Sequence, residues 1–169
     1  YWLDTYGVFA SVDYELSDAW TISVGGRYTK EEKDIYWRPS STEYAQNERI
    51  TLAAALLPNE DGEEWSSFDP KVTLTYSFAN GGIAYATYST GFKSGGYNAP
   101  TRRGGEALDP EELDMIEFGY KADLTNNLRL TSSVFFYDYT GLQVTRAAKG
   151  TGTVTTENAA DSSVKGIDF

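Results

Sequence analysis

The chain has 169 residues, with 25 acidic side chains against 14 basic ones, a net charge of −11, and neither cysteine nor histidine. Those absences exclude zinc sites of the usual Cys/His kind, thiol catalysis and Ser-His triads, and a pI near 4.4 makes nucleic acid a poor partner. The longest apolar run, Leu52 to Leu57, is far too short for a membrane-crossing helix, yet a mean hydropathy of −0.46 leaves a barrel open, since a barrel strand shows lipid only every second side chain.

From Leu3 to Leu16, Tyr6, Val8, Ala10, Val12, Tyr14 and Leu16 alternate with Thr5, Gly7, Ser11, Asp13 and Glu15, with Phe9 the exception. That period of two predicts a strand with two unlike faces. Ser17-Asp18-Ala19 is a turn, after which Trp20, Ile22, Val24, Gly26 and Tyr28 alternate with Thr21, Ser23, Gly25, Arg27 and Thr29. The two strands read as a hairpin. Lys30 to Ser66 shows no sustained period and reads as a long connection, with acidic stretches at Glu31–Asp34 and Asn59–Glu64 and a short helix over Arg49–Leu57 that Pro58 ends.

The pattern resumes with Val72, Leu74, Tyr76 and Phe78, turns around Asn80-Gly81-Gly82, and enters Ile83 to Asn98, IAYATYSTGFKSGGYN. Its first half alternates; its glycines then suit the exit from a sheet into a loop that runs from Gly91 to about Glu112. A three-residue turn after Phe78 would put Gly82, Ala84, Ala86 and Tyr88 on the apolar face. A four-residue turn would put Ile83 and Tyr85 there, and both remain open at this point. Ile116, Phe118, Tyr120, Ala122 and Leu124 alternate next, followed by a turn at Thr125-Asn126-Asn127 that sets Leu124 opposite Leu128. Leu128, Leu130, Val134 and Phe136 continue the pattern, a third polar loop spans roughly Ala147 to Asp161, and Val164 to Phe169 begins another strand.

Connections therefore alternate short and long along the chain. Long strands joined in that manner predict an all-β, antiparallel up-and-down meander, six long strands and the start of a seventh, forming part of a large transmembrane β-barrel. With the short turns on the periplasmic side, Tyr14, Trp20, Tyr76, Phe78 and Tyr120 fall towards the inner interface of the bilayer and Tyr6, Tyr28, Tyr88 and Phe136 towards the outer one. The rival architecture is a soluble β-sandwich serving as a carbohydrate-binding module, with Trp37 and Trp65 as its platform; strands of this length argue against it. A passive porin-like channel is the second rival, and would need inward charge rings and no energy coupling.

Several blocks in order make the chain resemble the TonB-dependent outer-membrane receptors: Tyr6-Gly7-Val8-Phe9 through Gly26-Arg27-Tyr28-Thr29, Tyr85 through Asn98, Leu108-Asp109-Pro110-Glu111 leading into Glu117-Phe118-Gly119-Tyr120-Lys121, and Phe136-Tyr137-Asp138-Tyr139 through Lys165-Gly166-Ile167-Asp168-Phe169. The resemblance implies a barrel of about twenty-two strands around a separate N-terminal plug domain. It also implies uptake of a scarce, bulky ligand such as a ferric siderophore, cobalamin or a glycan. The implied partners are outer-membrane lipid, the plug and remaining strands of the parent chain, and a TonB-type energy-transducing protein. The expected location is the outer membrane of a Gram-negative bacterium. Residues 1–169 read as a fragment from the later half of such a barrel, with no plug domain and no signal peptide, and with no enzymatic activity or cofactor expected.

Ligand contact is expected from Lys93, Tyr97, Arg102 and Arg103, where paired arginines near aromatics could hold an anion, and from Trp37, Tyr44 and Trp65, which could stack on a sugar or catechol. Solvated charge paired with Glu106 or Asp109, and packing of the loop on itself, account for the same residues without a ligand. Asn59 to Glu64 lacks the ligand order of an EF-hand, and no metal site is expected. Asp109/Glu111 and Glu112/Asp114 are carboxylate pairs with no cleft fixed around them. Glu117, Lys121, Asp123, Arg129 and Arg27 should point into the lumen, pairing with one another or with a plug.

Overall fold

Strict alternation becomes a hydrogen-bonded ladder in the computed structural model, which describes residues 2–37, 59–97, 107–147, 154–159 and 161–169. Its strands are β1 (Trp2–Glu15), β2 (Trp20–Trp37), β3 (Asn59–Ser77), β4 (Ile83–Lys93), β5 (Glu111–Thr125), β6 (Leu128–Thr140), β7 (Gln143–Ala147), β8 (Val154–Asn158) and β9 (Ser162–Asp168). Seven of them form one antiparallel meander in the order β1-β2-β3-β4-β5-β6-β9, while β7 and β8 make a separate two-stranded ribbon. The described residues include no helix and no second layer, so the sandwich is overturned and the open meander stands. The short helix expected over Arg49–Leu57 lies outside the described residues.

Register converts alternation into two faces. From β1 to β6 the paired residues, Thr125↔Leu128 at the third turn excepted, have the same parity, as in Val12↔Val24, Val24↔Val72, Val72↔Tyr88, Tyr88↔Ile116 and Ile116↔Phe136. Even numbers therefore make one apolar face and odd numbers one polar face, because side chains point alternately to opposite sides. The β6–β9 pairing joins Tyr137 to Val164, so parity inverts in β9.

The turns decide what the sequence left open. Phe78 donates its N–H to Gly82 and Gly81 adopts φ +84°, placing Ala84 opposite Tyr76 and Ala86 opposite Leu74. The Gly82, Ala84, Ala86 and Tyr88 set is thus the apolar one. The first hairpin closes as expected, with the Leu16 N–H donating to the Trp20 carbonyl at 2.8 Å. The third is tighter than expected: Thr125 pairs with Leu128 around Asn126-Asn127, and a register shift between Asp123 and Thr125 displaces Leu124 from its place opposite Leu128.

Long connections depart further from expectation. β2 and β3 continue their ladder from Lys30↔Ser66 to Trp37↔Asn59, so the two acidic stretches are paired strands rather than loop. Gly91–Lys93 likewise pairs with Glu111–Leu113, and the third polar loop contains β8 and the end of β7. Backbone pairing needs no apolar period. Alternation marks only where a face must be apolar.

Burial agrees with a sheet that owns no dry interior. Among the described residues only Trp65 and Ala122 are buried apolar side chains, whereas Val12 is 67% and Phe118 53% exposed. At the short-turn end, Trp20, Tyr76, Phe78 and Tyr120 form a continuous aromatic chain with centroid spacings of 4.8, 4.8 and 5.9 Å. The upper edge of the apolar face is slanted. It ends at Phe136 on β6, below Asp138, but reaches Tyr6 on β1, six residues above Val12, which shares Phe136's row. At about 3.4 Å per residue and about 4.8 Å per strand, that climb gives a tilt of ~40°, within the range of barrel strands.

Candidate functional site

The long-loop end converges on Ser94 and Gly95, where β4 stops and the chain turns across the polar face. Odd parity carries Glu31, Lys33 and Trp65 to that same face. The Lys33 ammonium donates to Ser94 Oγ at 2.5 Å and to the Gly95 carbonyl at 2.6 Å, with Glu31 Oε2 3.5 Å away. Ser94 Oγ in turn donates to Glu31 Oε2 at 2.5 Å. Lys33 also stands 5.3 Å from the centroid of the Trp65 ring, a cation–π contact that gains strength where water is scarce. Trp65 and Ser94 are 9% and 6% exposed.

Glycine at 95 is a matter of space. An added Cβ would meet the Leu108 carbonyl and, at 2.5 Å, the Trp65 ring. Tyr97 meets that ring edge-on at a centroid distance of 6.1 Å and bridges to Ala107, while the Leu108 N–H donates to the Gly96 carbonyl at 2.6 Å. A third connection joins here as well. The Gln143 side-chain amide donates to the carbonyls of Ser94 and Asp109 at 3.1 and 3.0 Å, and its backbone N–H donates to Glu111 Oε1 at 2.9 Å. Lys93 pairs with the same Glu111 oxygen at 2.6 Å. Asn158 fastens the other foot of the ribbon, donating to the Asp109 and Gly141 carbonyls and accepting from the Asp109 N–H.

The expected contact residues thus separate. Trp65 and Tyr97 come together, and Lys93 is tied to Glu111. Arg102, Arg103 and Tyr44 lie outside the described residues, and Trp37 closes β2 where only backbone is described. Sequence reasoning passed over Glu31, Lys33, Ser94, Gln143 and Asn158. Carrying the parity of Arg27 and Thr29 two steps further would have put Glu31 and Lys33 on the polar face; no comparable signal marks Gln143.

Lower on the polar face the charges largely answer one another. Tyr85 donates to Glu117 at 2.6 Å, Lys121 sits 5.3 Å from the Tyr85 ring centroid, and Arg129 grips Asp123 with two bonds of 2.7 and 3.0 Å. Tyr85 also covers Gly119, which has no room for a Cβ. A recess of about 580 Å³ lies between β1 and β4, lined by Phe9, Arg27, Thr29, Asp69, Lys71 and Ser89 among others. On the even face above the apolar edge, Lys30 joins Glu32 and Glu64, which oppose one another, at 2.8 and 3.0 Å. Lys30 holds the Glu32 carboxyl below its ordinary value of 4.5, chiefly through their hydrogen bond. No cluster able to hold a metal ion occurs among the described residues. The arrangement can bind and position.

Residues 3–169 match the family described as TonB dependent receptor-like, beta-barrel. Among solved structures, the ferric yersiniabactin uptake receptor FyuA of Yersinia pestis superposes with a TM-score of 0.75 at 16% identity, over 98% of this chain and 23% of that one. A double mutant of the Serratia marcescens hemophore receptor HasR, in complex with its hemophore HasA and heme, gives 0.60 at 13% identity, over 98% of this chain and 31% of that one. At such identities the likeness is one of fold, and the chain spans less than a third of either receptor. No curated protein sequence matches it.

Proposed function

The chain belongs to the TonB-dependent receptor β-barrel family, and from that membership we propose that it is part of the wall of an outer-membrane receptor importing a scarce, bulky ligand by energy-coupled transport. The observation that carries this reading is the family match across residues 3–169. The physical support is the two-faced sheet, with lipid against the even-numbered face and a plug domain of the parent chain against the odd-numbered one. Further strands of the parent would pair with the free edges of β1 and β9, and a TonB-type protein would act through the N-terminal part. An iron carrier, siderophore or heme, is the favoured ligand class, with cobalamin and glycans behind it.

Ligand contact belongs to the long-loop end in this reading. Arg102 and Arg103 offer cationic donors to an anionic chelate, and Trp37 and Tyr44 offer stacking surface. Trp65, Tyr97 and Lys93 present edges of a scaffold already engaged with Gly95 and Glu111.

Uptake of labelled ferric chelates and heme by cells carrying the full-length receptor tests the proposal. Saturable uptake that disappears when the energy-transducing protein is deleted is expected. Uptake that rises linearly with concentration and survives that deletion would instead identify a passive channel. If R102A/R103A leaves chelate affinity unchanged while energised uptake persists, the contact assignment fails and the transport reading stands.

A further inference from the structure

Three long connections leave the same end of this sheet, and their bases do not stand apart. β2 and β3 supply Glu31, Lys33 and Trp65; the segment after β4 supplies Ser94 and Gly95; the ribbon that interrupts β6 and β9 supplies Gln143. Lys33 crosses over β3 to reach Ser94 and Gly95, since β2 and β4 are not neighbours in the sheet. Gln143 reaches the same residue through the Ser94 carbonyl.

We propose that Ser94–Gly95 is a coupling hub through which the bases of the three long connections are energetically linked, so that opening any one of them weakens the other two. The reasoning is one of polar satisfaction. Ser94 is buried, its hydroxyl engaged by Lys33 and Glu31 and its carbonyl by Gln143, and a buried polar group that loses its partner bears the full desolvation penalty. Position 95 has no room for a side chain, since a Cβ there would meet the Leu108 carbonyl and the Trp65 ring. If Ser94 moves to recover a partner on one side, it leaves the other. Gln143 is doubly bound at its amide and held through its backbone by Glu111, which also anchors Lys93. A displacement of the ribbon is therefore delivered to β4 and β5 by two routes. The proposal rests on these bonds and is independent of what the receptor transports.

Hydrogen exchange on the full-length receptor in lipid nanodiscs is the test, using K33M, Q143L and the double variant. Coupling is reciprocal by linkage. K33M is expected to speed exchange at the Gln143 and Ala159 amides, and Q143L at the amides of Trp65 and Leu108, each about 2- to 30-fold, the range packed networks transmit. The amides of Val12 and Val24 in the lower ladder should keep their wild-type rates, and the double variant should fall short of the product of the single effects. Should K33M fail to assemble, S94A replaces it; this removes only the hydroxyl and is expected to loosen the Gln143 and Trp65 amides together. Effects that stay within the mutated connection, or a double variant equal to the product of the singles, would overturn the hub.

Discussion

Two regions of one sheet obey different physics. Between the short turns and the slanted apolar edge, β1–β6 keep every second side chain apolar and bury almost none of them within the described residues; their stabilising medium lies outside the protein. Above that edge β2 and β3 carry the same ladder onward with Glu31, Glu32, Lys33, Glu63 and Glu64 on it, and there Trp65 and Ser94 are buried, as Thr29, Thr87 and Ala122 are below. The lower region is organised by solvent, the upper by specific contacts among side chains. Substitutions should fail differently in each.

The largest effect is expected from W65A. Removing a ring that is 9% exposed and packed on Gly95 should cost the upper region about 3–5 kcal/mol. It should appear as local opening, with exchange rising around Glu63–Ser67 and Ser94–Tyr97 while the lower ladder keeps its rates. Global unfolding instead would mean that the two regions are one cooperative unit.

A122R probes the opposite case. Ala122 lies on the even face between Gly82 and Leu130, and an arginine there should impair assembly by about 1–4 kcal/mol, according to depth. T131R, on the odd face, should be tolerated. Folded yield in the outer membrane reads both, and equal tolerance would dissolve the distinction between faces.

Smaller still, G95A places a methyl where the Leu108 carbonyl and the Trp65 ring already stand, and overpacking of that kind costs about 1–3 kcal/mol. Loss of protection at the Leu108 amide should report it. The smallest effect concerns pH. With its carboxyl depressed by Lys30, Glu32 contributes stability that is present above about 4.5 and lost as pH falls through its lower folded-state value. K30Q should return the Glu32 titration, followed by carbon NMR, towards 4.5, with little change in overall stability because the group is exposed.

The same division explains what the sequence made legible. The lower strands, their faces, the first hairpin and the Trp20–Tyr76–Phe78–Tyr120 band follow from period two, since a strand in two media has no freedom in that pattern. The β2–β3 extension did not follow, because backbone bonds hold Asp34 opposite Gly62 as readily as Val12 opposite Val24. β7 and β8 were hidden for the same reason: Gln143 and Asn158 pin the ribbon at its base, and no apolar face runs along it. At the third turn, the register shift that displaces Leu124 depends on how Asn126-Asn127 turns, and hydropathy does not register it. Of the candidate site, Trp65 and Tyr97 stood out separately, in different connections, and nothing in the sequence paired them. The lysine that organises them did not stand out, since it sat within a charge run that reads as solvated.

The slant of the apolar edge has a practical side. Because the belt is cut obliquely across the strands, its height along the membrane normal is shorter than the ribbons suggest. That height, rather than strand length, sets the hydrocarbon thickness the protein tolerates without deforming its surroundings. Stability measured in a series of lipids of increasing chain length should therefore pass through a maximum, whose position reports the belt directly.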